Sequence, residues 1–135
     1  MTAAQRLTPV DPFELPEWLG EGDVVWTADA GLRTGHAVPG TLTADRHDPL
    51  GCDLLAIDEA YPAPVADDRI RHDAHQAWRH GQVLLVDAGE RLTLAVPGTG
   101  FTADRVLDAI ARLAKSVGAS ADHYSVRLRI GVERP

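Results

Sequence analysis

Asp68, His72, His75 and His80 fall within one thirteen-residue stretch, DRIRHDAHQAWRH, and their spacing is that of a metal-binding helix. His72 and His75 are three apart and Asp68 lies one turn earlier, so one carboxylate and two imidazoles can reach a single divalent ion. The same geometry argues against a working centre. At about 100° per residue, Asp68, His72, His75 and Arg79 point away from the apolar Ile70, Ala74 and Trp78 face, towards solvent rather than a dry, supported pocket. His80 lies off that stripe, and there is no HExxH pattern to supply a general base. The expectation is a solvated polar face with no metal and no cofactor; a metal centre, if there were one, would use Asp68, His72 and His75.

Other reactive residue types give weaker signals. Asp53, Asp58, Glu59, Asp67 and Asp68 make the middle of the chain acidic, and two carboxylates converging in a cleft can serve as acid and base, but only convergence displaces their ionisation. Pro97-Gly98-Thr99-Gly100-Phe101-Thr102 leads into a helix whose free N–H groups could hold an anion, yet it lacks the glycine spacing and GK[ST] ending of a phosphate loop. Ser116, Ser120 and Ser125 sit in no nucleophile-elbow context. His36 and His123 adjoin strands, where a ring could face a pocket. The single cysteine, Cys52, excludes an internal disulfide and a thiolate metal cage, and beside Leu54-Leu55-Ala56-Ile57 it reads as a buried, inert thiol.

Twenty acidic residues against thirteen basic ones give a formal charge of −7, and no segment concentrates arginine as a phosphate-tracking surface requires. The seven aromatic residues do not alternate with basic ones, so a stacking platform for single strands is absent as well. Nucleic acid and membrane are therefore not expected partners. No apolar run approaches the roughly 18 residues of a membrane span, and the opening MTAAQRLTPVDPF lacks the layout of a signal peptide, so the expected location is the cytoplasm.

Elements that would position these residues follow from an internal repeat. Val25–Thr41 (VWTADAGLRTGHAVPGT) aligns on Val83–Thr99 (VLLVDAGERLTLAVPGT) with ten of seventeen residues identical, and one inserted residue, Gly100, extends the match through TADR. The repeated blocks, 25–46 and 83–105, each open with a β-hairpin, and a duplicated supersecondary unit implies a pseudo-symmetric core. Val83-Leu84-Leu85-Val86 reads as a strand covered on both faces, whereas Leu92, Leu94 and Val96 alternate with Arg91, Thr93 and Ala95 as in a half-solvated one. In both copies Val-Pro-Gly-Thr is expected to end the second strand in a type II turn. Cys52–Asp58 and Ser125–Gly131 supply further strands. Helices are expected over about Ala66–His80 and Ala103–Val117, the latter with Thr102 as N-cap, Gly118 beyond its C-terminus and an Asp108–Arg112 pair on its wet face. The fold class is therefore α+β in the order ββ β α ββ α β: one mostly antiparallel sheet of five to six strands, with two helices on one face.

Residues 1–22 form an irregular N-terminal arm with three prolines, Pro9, Pro12 and Pro16, preceding a single domain over 23–135. Phe13, Leu15, Trp18 and Leu19 give that arm apolar weight, either for docking on its own core or for engaging a second subunit or client. In element order the chain resembles the small acidic α+β chaperones of bacterial secretion systems, which are dimers; it differs in its extra C-terminal strand and in lacking an N-terminal helix, and no residue carries over. The functional expectation is a non-enzymatic, chaperone-like or adaptor protein that forms a homodimer and binds a protein partner through Phe13, Leu15, Trp18 and Leu19. The alternatives are a small metal-dependent or acid–base enzyme and a small-ligand sensor.

Overall fold

The computed structural model describes residues 7–29, 37–57, 68–98 and 100–128. Eight strands occur among them: β1 (Leu7–Pro9), β2 (Val24–Ala28), β3 (Ala37–Val38), β4 (Gly40–Thr43), β5 (Leu50–Ile57), β6 (Leu84–Ala88), β7 (Arg91–Pro97) and β8 (Tyr124–Arg127). Two α-helices, α1 (Asp68–Arg79) and α2 (Ala103–Ser116), complete the set. All strands join one sheet in the order β1-β6-β7-β5-β4-β2-β8, with β3 also on β5. The β5–β7 and β2–β8 pairs are parallel and the other pairings antiparallel. The sheet thus exceeds the expected five to six strands for two reasons. The N-terminal arm supplies β1, and the second strand of the first hairpin is split at Pro39, which has no N–H to give to a ladder.

The two copies of the repeat flank β5. Hairpin β6–β7 lies on one side of that strand and hairpin β2–β4 on the other; β7 runs parallel to β5 and β4 antiparallel to it. The strand directions of the two hairpins are thus reversed about β5, but their registers differ: Trp26 pairs with Leu42 in the core under α2, whereas its repeat equivalent Leu84 pairs with Ala95 and packs with the cluster under α1. The outer strands differ as well, since β1 is antiparallel to β6 while β8 is parallel to β2. The second hairpin closes through a two-residue turn with φ of 62° at Gly89 and 70° at Glu90, the I′ pattern that matches strand twist. Asp87 Oδ1 accepts the Glu90 N–H at 2.8 Å and fixes it.

The helices lie on opposite faces, not on one. Cross-strand neighbours share a face, so Leu92, Leu94 and Val96 of β7 align with Cys52, Leu54 and Ala56 of β5 and pack with Trp26, Leu42, Leu85 and α2 residues Val106, Ile110 and Leu113. Thr93 and Ala95 point the other way, where Ala95 joins Leu7, Ile57 and Val86 under Ile70 and Ala74 of α1. Strand β7 is buried from Leu92 through Val96. Arg91 and Thr93 suggest a wet second face, but Thr93 is only 3 % exposed. A threonine tolerates such burial because its small hydroxyl can bond locally, here towards the Arg91 carbonyl.

The two copies of Val-Pro-Gly adopt different structures, Thr99 lying outside the described residues. In the second, Gly98 (φ 118°) follows the end of β7 as expected. In the first the chain passes straight through Pro39 and continues as β4 to Thr43. Gly40 allows this because the indole of Trp26 lies against it: a Cβ there would run into Cζ2 of the ring. Trp26 is wholly buried, and its Nε1 donates to the Cys52 carbonyl at 2.8 Å, which satisfies the one polar atom of the ring.

The arm is tied down at both ends. β1 pairs with β6, and Val10 N–H donates to the Leu85 carbonyl at 2.8 Å. A 3-10 turn over Pro12–Glu14 follows, closed by a reciprocal cap in which Asp11 accepts from Phe13 N–H and Glu14 accepts from Asp11 N–H. A second 3-10 turn, Glu17–Gly20, inserts Leu19 into the core, and Tyr124 Oη donates to the Leu19 carbonyl.

Candidate functional site

Helix α1 presents the metal-like residues along a shallow groove. Asp68, Arg71, His72, His75, Gln76 and Arg79 line a depression of about 360 Å³. Asp68 is exposed and bonded to Arg71, Nη2 to Oδ1 at 2.6 Å, so its carboxylate is already engaged with a cation. No three His, Cys, Asp or Glu side chains converge closely enough to hold a metal ion among the described residues. His72 is exposed, but His75 is not the solvated residue that helix phase suggests. Its ring is half buried, and its Nε2 is enclosed without a hydrogen-bond partner. Of the two arginines in this lining, Arg71 is held by Asp68, and Arg79 is exposed.

The four arm residues part company. Leu19 is wholly buried, Leu15 and Trp18 are half buried against the same core, and Phe13 is 94 % exposed. Phe13 stands at the tip of the capped Pro12–Glu14 turn, with the Asp11, Glu14 and Glu17 carboxylates beside it in the chain. Trp18 stacks on His47, ring centroids 5.1 Å apart at 12°, and the pair walls a cleft of about 470 Å³ that also takes in Glu21, Asp23 and Asp45. His123 Nδ1 lies 3.0 Å from Asp23 Oδ1 nearby.

Of the acidic residues singled out from the sequence, Asp53 is engaged and Asp68 is salt-bridged; Asp58, Glu59 and Asp67 lie outside the described residues, as does His36. Arg91 grips Asp53 with both arms, Nε to Oδ2 at 2.9 Å and Nη2 to Oδ1 at 2.8 Å. Nη2 also donates to the Gly40 carbonyl, while the Gly40 N–H donates to Asp53 Oδ1. This four-way cluster locks both hairpins to β5, and the Asp53 bond raises the Arg91 pKa further. Burial pushes the Cys52 thiol well above its ordinary value and does the same to the Tyr124 phenol. All three displacements lead away from neutrality, which is the reverse of what a nucleophile or base poised at pH 7 requires.

One arginine does more than its spacing foretells. Arg112 makes the expected i,i+4 pair with Asp108, and its guanidinium also lies 3.5 Å from the Trp78 ring centroid and donates to the Trp78 and Gln82 carbonyls. It thereby straps the end of α1 to α2. The i,i+4 rule locates the pair, but only the folded topology brings the two helix ends together. No protein-family model matches the chain, and neither does any curated protein or solved structure. The resemblance in element order to secretion chaperones accordingly has no structural match beside it. No described helix is long and apolar enough to cross a membrane.

Proposed function

We propose that this protein is a non-enzymatic, cytoplasmic interaction protein that self-associates and engages protein through its N-terminal segment, with Phe13 as the anchor. The observation that carries the reading is a phenylalanine 94 % exposed on a turn pinned by reciprocal caps and held between a paired strand and a buried leucine. An aromatic ring presented this way loses little conformational entropy on docking, and aromatic anchors dominate binding energy at protein interfaces.

The test replaces Phe13 with a photoreactive phenylalanine analogue and irradiates the full chain in source lysate. The expected result is a discrete protein adduct that excess wild-type chain suppresses and excess Phe13→Ala chain does not. Labelling that both competitors suppress equally, or an absence of any adduct, overturns the reading.

A further inference from the structure

We draw no further inference here: the strongest candidate, the cleft of about 470 Å³ walled by Trp18 and His47 between the Glu17–Gly20 turn and the start of β2, is an exposed cluster of the Glu21, Asp23 and Asp45 carboxylates beside two rings already stacked on each other, and nothing in the structure shows what would occupy it.

Discussion

Cys52 and Tyr124 connect single side chains to the acidity of the solution. The folded chain holds Cys52 as a neutral thiol above its ordinary value of 9.0, because burial penalises the thiolate; the unfolded chain ionises there. The folded state then binds more protons than the unfolded one, so stability is full below pH 9 and declines as pH rises. Tyr124 acts in the same sense from its ordinary value of 10.0. We expect unfolding free energies from urea titrations to fall between about pH 9 and 10.5, approaching about 1.4 kcal/mol per pH unit for one proton. Cys52→Ala should flatten the earlier part of that slope and Tyr124→Phe the later part. A slope unchanged in Cys52→Ala would place the linked proton elsewhere. The inert thiol was legible from the apolar residues after Cys52, but the phenol was not, because it is buried by a segment about a hundred positions away.

Two hairpins with nearly the same sequence show which local signals decide an element and which are overruled. Gly40 and Gly98 occupy equivalent places in the repeat, yet one lies inside a strand under an indole and the other follows a strand end at positive φ. Replacing Gly40 with Ala drives a Cβ into Trp26, a rigid and enclosed ring, and should cost about 3 kcal/mol with a changed near-ultraviolet dichroism of tryptophan. Gly98→Ala meets only the guanidinium of Arg105, which can move, and should cost about 1–2 kcal/mol through backbone strain. Equal losses in urea unfolding would refute the distinction. Turn chemistry and helix caps were readable, from Thr102, Gly89 and the Asp108–Arg112 spacing, because they depend on neighbours within four residues. The path of Pro39–Thr41 was not, since it is set by Trp26 and by Asp53 and Arg91 from β5 and β7. The face each helix covers was hidden for a like reason: Thr93 and Ala95 look amphipathic in sequence, and only the position of α1 buries them. At the candidate site, helix phase placed His72 in solvent correctly but missed the enclosure of His75.

At the scale of the molecule, the N-terminal segment belongs to the fold as well as to the proposed interface. Leu19→Ala removes a wholly buried side chain and should cost about 3 kcal/mol, read as a lower urea midpoint, while Phe13→Ala should leave stability within about 0.5 kcal/mol of wild type. If both changed stability alike, the division of the arm into a buried Leu19 and an exposed Phe13 would be wrong. The parallel pairing of β2 with β8 has a consequence for how the chain is made. Tyr124–Arg127, the outer neighbour of Val24–Ala28, emerges from the ribosome about a hundred residues after it, and at roughly 5–20 residues per second the delay lasts on the order of ten seconds. During that interval the outer edge of β2 is unsatisfied on a nascent chain, and the hydroxyl of Tyr124 has not yet reached the Leu19 carbonyl that it finally holds. Strand β8 is therefore the latch that closes this edge, and misfolding of the new chain should concentrate in the seconds before it arrives.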